Sequence, residues 1–360
     1  MRRTLIAISA ALAALCIAGP AAAGTPRAAV FFYPWYSTAA HDGADGHWTQ
    51  NGHRPPADIA SDYFPARGAY SSADATVLRD QMAEIASTGA GIVVTSWWGT
   101  GSLEDARLPL VLAAARGQRL RVGVQIEPYD ARSAASVAAD VARLHAQGIN
   151  DVYVYRAQDI AAADWAAQLP ATRAASPGVR LVAHTWLAGW AAQARFDGLY
   201  TYDVLLTDGG VFPRLCAQAH AVGLLCEPSV GPGFSAVAAT GERRTRARRD
   251  GATYDTMWRN ALAAGADVVT ITSYNEWHEG SQIEPAAAKP GTRYASYDGA
   301  WGLRGAQAAT AYLARTALWV QRLDAQQAGA EPAAVARILA TWPDPPMRTS
   351  RPGRHSSRTP

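Results

Sequence analysis

Cysteine is scarce in this 360-residue chain, with three in all, and one of them, Cys16, lies in the N-terminal apolar segment. A small disulfide-stapled fold is therefore excluded. The chain must rest on a hydrophobic core, which a 49% hydrophobic composition can supply. Beyond that segment only Cys216 and Cys226 remain, and both a disulfide and two buried thiols fit the sequence. Long apolar runs are missing after residue 23. The stretch "MRRTLIAISAALAALCIAGPAAA" opens on two arginines, is too short and Ala-rich to span a bilayer well, and ends in A-x-A before Gly24. Residues 1–23 therefore read as a secretory signal peptide, with a retained anchor as the alternative. The expectation is a secreted or periplasmic protein with no membrane attachment after cleavage.

Excess positive charge is lacking as well. The formal net charge is +3, but Arg2, Arg3, Arg348, Arg351, Arg354 and Arg358 sit at the two ends, leaving −3 over 24–347. Such a body has no general attraction for a phosphate backbone, which excludes nucleic acid as a partner. The polar, Pro-containing stretch 346–360 reads as a disordered basic tail. Several motifs are absent: no G-x-G-x-x-G follows the first apolar run, "GPG" at 231–233 lacks the Lys and Ser/Thr of a phosphate loop, and there is no G-x-S-x-G elbow. There is no H-E-x-x-H, and the eight histidines are scattered, so no metal and no cofactor are expected.

What is present is a recurring unit. Short apolar runs at 28–33, 91–97, 121–127, 151–156, 180–186, 198–204, 221–229 and 267–274 read as strands. Between them lie stretches with apolar spacing near three and four, such as "ADATVLRDQMAEIASTG" and "SAASVAADVARLHAQG", several ending in Gly as a helix C-terminus does. Continuous apolar strands alternating with helices predict a parallel sheet covered on its outer face. Eight units favour an α/β fold in the form of a single (β/α)8 TIM-type barrel over 24–345, with long loops after strands 1 and 8. An open Rossmann-like sheet is the runner-up.

A barrel of this kind carries its site at the C-terminal ends of the strands. Those ends read "YPWY", "SWWG", "IEPYD", "YRAQD", "HTW", "YTYD", "EPSVGPG" and "YNEWHEG", so aromatics and carboxylates collect on one rim. Rings that stack on sugar faces, with carboxylates that bond to hydroxyls, describe a carbohydrate cleft. Tyr33 and Trp97 fit packing inside the barrel equally well, since alternate strand residues face opposite ways. In "ITSYNEWHEGSQIEP", Glu276 and Glu279 would point apart on a strand, but in a turn or helix residues three apart are neighbours. With the last strand ending near Tyr274, both could face one sugar. A close pair suits a retaining glycosidase, with a separation of about 5–5.5 Å, and mutual repulsion would keep one carboxyl protonated. Within "ERRTRARRD" (242–250), one arginine could reach the cleft.

The segments "FFYPWY", "HRPPADIASDYFPARGAYSS", "IEPY", "FDGLYTYD", "PSVGPG" and "ITSYNEWHEGSQIEP", in that order, resemble glycoside hydrolase family 99, the endo-α-1,2-mannosidases and endo-α-1,2-mannanases. The resemblance runs from about residue 30 to 290. It implies a (β/α)8 barrel that hydrolyses internal α-mannosidic bonds with retention and without metal, on an oligo- or polysaccharide such as α-mannan or a glycoprotein glycan. It also implies a route through a 1,2-anhydro sugar, with Glu276 as base on the sugar 2-hydroxyl and Glu279 as general acid and then base. By the same resemblance, Tyr36, Trp98, Glu127, Tyr129, Tyr202, Arg248, Asn275, Trp277 and His278 line sugar subsites. The chain departs from the family pattern at Gln125, where many members have His, at "YVYRAQD", and after "PSVGPG", where a P-W-N is missing. These places bear on substrate choice rather than on the Glu pair. A carbohydrate-binding barrel without catalysis, and a retaining glycosidase of other sugar specificity, are the alternatives.

Overall fold

The computed structural model describes residues 27–330. The expected leader (1–23) and basic tail (346–360) lie outside the described residues.

Parallel strands form the wall of a barrel. β1 (Ala28–Phe32), β2 (Ile92–Trp97), β3 (Arg121–Ile126), β4 (Asp151–Val154), β5 (Arg180–His184) and β6 (Gly198–Tyr200) pair in chain order. The seventh stave is in two pieces, β7 (Leu225–Glu227) and β8 (Ser229–Val230), with Pro228 between them. A small hairpin of β9 (Phe234–Ser235) and β10 (Thr245–Arg246) follows, and β11 (Val269–Ile271) is the last stave. β7 pairs with β6, β8 pairs with β11, and β11 pairs with β1, which closes the ring. Pro228 has no N–H to give, so the ladder changes partner there, while its carbonyl still accepts from the Thr270 amide at 3.2 Å.

A main helix follows each stave: Ala75–Ser87, Leu103–Gly117, Ala134–His145, Ala162–Ala175, Ala188–Gln193, Phe212–Ala221, Ala252–Ala263 and Ala311–Gln327, with short helices Ala39–Asp42, Val237–Thr240 and Gly305–Ala309 in the connecting loops. The expected (β/α)8 barrel is the observed fold, and the open sheet is set aside. Local sequence starts several helices. Asp74 accepts from the amides of Thr76 and Val77, and Ser133 and Ser136 form a reciprocal capping box. Apolar side chains on the outer face of the strands pack under the helices. The inner face holds a separate cluster including Phe31, Tyr33, Val94, Tyr153, Tyr200 and Tyr202. Tyr33 therefore packs inside the barrel, whereas Trp97 packs outside it, its indole N–H donating to Asp105 at 3.0 Å.

The staves are shorter than the apolar runs that announced them. Residues 221–224 close the preceding helix, with the Leu224 amide bonded to Ala219, and do not begin a strand. The sixth strand ends at Tyr200, not Val204, since Tyr202 takes a left-handed backbone conformation (φ 58°). The eighth ends at Ile271, not Tyr274, because the Ser273 amide turns to the carbonyl of Ser281.

The two long loops form one layer over the C-terminal end of the barrel. Ala66 donates to Pro285, Ala287 to Phe64 and Ala295 to Asp62, each at 2.8 Å. Arg107, on the second helix, ties down the first loop by donating to the carbonyls of Pro34 and Tyr36 and to the Ser37 hydroxyl.

Candidate active site

Past β11 the chain closes a loop on itself. The Ser273 amide donates to Ser281, Ile283 to Ser273 and Glu284 to Tyr274, and the tip of this closed segment is a turn over 277–280. The turn brings Glu276 and Glu279 into one electrostatic environment. Glu276 is the deeper, 3% exposed, with its Oε1 accepting from the His278 amide at 3.0 Å. Glu279 is half-buried and lines a cleft of about 290 Å³ together with Tyr155, Tyr202, Asp203, Phe234 and Arg244.

Burial is the main force on both carboxyls. It raises Glu276 well above the usual carboxylate range, with the charges of Glu279 and Glu127 adding to the rise. Burial, then Asp203 and Glu127, pushes Glu279 up to about 7. Glu127, at the end of β3, is itself pushed up to about 7 by burial, against the hydrogen bonds it accepts from Gln125 at 2.7 Å and Ser96 at 2.8 Å. Three carboxyls with raised pKa values that act on one another through their charges keep protons available near neutrality, as acid–base chemistry requires. The Tyr33 and Tyr202 hydroxyls, in mutual contact, are raised by burial and by these same carboxylates, so they stay protonated as neutral donors.

The remaining residues singled out from sequence divide by position. Tyr202 lines the cleft with Glu279, Glu127 acts on both carboxyls through its charge, and Trp98, just past the end of β2, is 40% exposed. Tyr129 stands beside Gly99, its hydroxyl bonded to Ser136 and Asp140 on the helix after β3. Tyr36, Asn275 and Trp277 are fully buried and hold the turn after β11 from behind. The Tyr36 hydroxyl donates to the Asn275 carbonyl and accepts from the Trp277 amide, both at 3.0 Å. The Asn275 side chain clamps the backbone N–H and C=O of Tyr33 at 2.7 and 2.9 Å. His278 lies in a stack with Trp35 and His47, and its Nε2–H donates to the His47 carbonyl at 2.8 Å. Burial lowers it to about 3, which keeps it neutral.

Arg248 lies beneath the turn, not in the cleft. Its guanidinium is enclosed by the rings of Tyr63, Tyr297 and Tyr312 and donates to the carbonyls of Gly280 and Gln282. The arginine of that basic run which lines the cleft is Arg244. Glu227, at a strand end, is also not on the rim: it points into the barrel, where it meets Arg180 and the Tyr153 hydroxyl. Asp203 was overlooked in sequence, although it stands next to Tyr202 in "YTYD". Larger hollows of about 460 and 560 Å³ open at the opposite end of the barrel, where Arg121 and Arg180 are already paired with Asp151. Among the described residues no group of three or more His, Cys, Asp or Glu is arranged to hold a metal.

Comparison with known proteins agrees with this geometry. The profile of glycosyl hydrolase family 99 matches residues 26–163 and 180–325. The chain is 29% identical over 317 residues to a glycoprotein endo-alpha-1,2-mannosidase-like protein of Danio rerio, covering 72% of this chain and 71% of that one. It is 28% identical over 316 residues to the glycoprotein endo-alpha-1,2-mannosidase of Mus musculus, covering 72% and 68%. Among solved structures it is similar to the GH99 endo-alpha-mannosidase of Bacteroides thetaiotaomicron in complex with BIS-TRIS-propane. The two share 27% identity and a TM-score of 0.75, over 84% of this chain and 99% of that one.

Proposed function

Because the chain belongs to glycosyl hydrolase family 99 and is a glycoside hydrolase, we propose that it is an exported endo-acting α-mannosidase. It cuts internal α-mannosidic bonds in α-1,2-linked mannans or in the mannose arms of glycoprotein glycans, with retention. The observation that supports this reading is the segment past β11, where Glu276 and Glu279 lie three residues apart with raised pKa values, the charge of Glu279 acting on Glu276, and Glu279 lines an aromatic cleft. The disulfide between Cys216 and Cys226 supports export, since such bonds persist in oxidising compartments.

In the proposed reaction Glu276 takes the proton of the sugar 2-hydroxyl. That oxygen attacks the anomeric carbon while Glu279 protonates the departing glycosidic oxygen, giving a 1,2-anhydro sugar. Glu279 then takes a proton from water, which opens the three-membered ring at the anomeric carbon, and Glu276 returns its proton to the 2-oxygen. The protein forms no covalent bond. A bound sugar distinguishes the two carboxyls: its 2-hydroxyl donates to Glu276 and favours the carboxylate, while the glycosidic oxygen accepts from Glu279 and favours the acid. Tyr33 and Tyr202 serve as neutral donors beside the pair, and Trp98 as a stacking surface.

The test is the product set from a defined α-1,2-mannan. Internal cleavage to oligosaccharides whose first-formed anomer is α is expected. Release of only terminal mannose, an initial β-anomer, or binding without cleavage would each overturn the proposal.

A further inference from the structure

One buried carboxylate outside the reaction is held by four donors from three parts of the chain. Glu284 is fully buried at the base of the closed segment that carries the acid pair. Its Oε1 accepts from Arg67 Nε and Gln81 Nε2, both at 2.9 Å. Its Oε2 accepts from the Tyr70 hydroxyl and Trp277 Nε1, both at 2.8 Å. Arg67 and Tyr70 belong to the first long loop, Gln81 to the helix Ala75–Ser87, and Trp277 to the catalytic turn. An ionised carboxylate offers about four acceptor sites, so every one of them is used.

We propose that Glu284 is a positioning residue, which fixes the catalytic turn by holding Trp277 and, through Tyr70, Asn275. The path is continuous. Tyr70 donates to Glu284 and accepts from Asn275 Nδ2 at 3.2 Å, and Asn275 is clamped to the backbone of Tyr33. The residues on either side of Glu276 are thus both tied to one anion. Glu284 touches neither Glu276 nor Glu279, and the inference rests on the functional reading only for its kinetic arm. Charge-assisted hydrogen bonds are roughly twice as strong as neutral ones, and a turn held by several of them has little freedom to displace its carboxylates.

Glu284→Gln is the isosteric test. The amide keeps one acceptor oxygen but presents an NH2 to donors that then have no acceptor. On an α-1,2-mannan the variant is expected to lose about 100-fold in kcat with KM within about threefold, because a displacement of the order of 1 Å at the reacting groups costs that much. Hydrogen exchange of the backbone amides gives a readout that needs no substrate: protection should fall across 275–283 and stay unchanged in β1 to β6. Tyr70→Phe, which removes one donor and the bridge to Asn275, should lose about 10-fold in kcat in the same pattern. Glu284→Gln combined with Trp277→Phe should fall no further than the worse single variant, since both break one bond.

Unchanged protection across 275–283, or a loss spread evenly over the barrel, overturns the proposal. So does a rise in KM with kcat intact. If Glu284→Gln does not fold, Tyr70→Phe decides by the same criteria. A wild-type protein inert on mannan would sink the functional reading while leaving the exchange experiment to judge Glu284.

Discussion

In the proposed reaction Glu279 gives up a proton and then takes one, so its value near 7 is the quantity that the surrounding residues tune. Asp203 shares its cleft, and an anion beside a carboxyl disfavours ionisation. Asp203→Asn removes that anion. The basic limb of kcat/KM, where the pair loses the proton its acid must carry, is then expected to move to lower pH; a pH–rate profile that stays put or moves up refutes the assignment. Glu279→Gln should lose most turnover on a natural glycan, keep sugar affinity, and recover in part on an aryl glycoside whose leaving group needs little protonation. Glu276→Gln should gain nothing from that leaving group. The same raised value bears on stability. The folded pKa of about 7 exceeds the ordinary 4.5, so folding is favoured most below about 4.5, and the contribution is lost as pH rises through 7. Glu279→Gln escapes that loss and should be more stable than wild type at pH 8, by about 1–3 kcal/mol, with little difference at pH 4. Thermal melts at the two pH values check the sign.

At the scale of elements, the site depends on where strands stop. The segment "PSVGPG" passes between the sixth and eighth staves so closely that only glycine fits at 231. A Cβ there would lie 2.3 Å from Val204 Cγ1 and 2.5 Å from the Thr272 carbonyl. Thr272 lines the cleft with Glu279, so pressure at 231 is transmitted to the segment that carries Glu276 and Glu279. Gly231→Ala should cost about 1–3 kcal/mol, the range for overpacking, and should lower kcat as well. A variant with native melting temperature and turnover would show that the backbone there moves freely. The loops after β1 and β11 form a second element-scale device, since neither has its backbone satisfied alone and each supplies carbonyls to the other.

For the whole molecule, the barrel closes through paired strands, and one covalent link reinforces it at the seventh unit. Cys216 lies on the helix Phe212–Ala221 and Cys226 on β7, ten positions apart in sequence. Closing so short a loop contributes about 2–3 kcal/mol by the chain-entropy argument. Cys216→Ser should therefore melt several degrees lower than wild type while retaining turnover at low temperature, because the bond lies in the helix layer away from the acid pair. Equal melting with and without a reductant would show the link to be energetically idle. The interior of the barrel is closed differently at its two ends: Arg121, Arg180, Asp151 and Glu227 neutralise one another below, while Glu127, Glu276 and Glu279 lie with their raised pKa values above. Paired charge at one end and carboxyls with raised pKa values at the other separate the part of the barrel that stabilises from the part where the proposed reaction takes place.

The sequence by itself determined the eight-fold alternation of strand and helix, the loops after the first and last staves, and the placing of Glu276 and Glu279 past the end of the last strand. These are written in periodicities and spacings within a few residues, where local sterics decide the outcome. Tertiary structure alone decided that Arg244 and not Arg248 faces the cleft, that Glu227 is sealed inside, that Asp203 adjoins Glu279, and that Cys216 and Cys226 are bonded. It also decided that Tyr70 reaches Glu284, 214 positions away. No local pattern encodes such contacts, because a side chain's partner across the barrel depends on how every intervening element has packed.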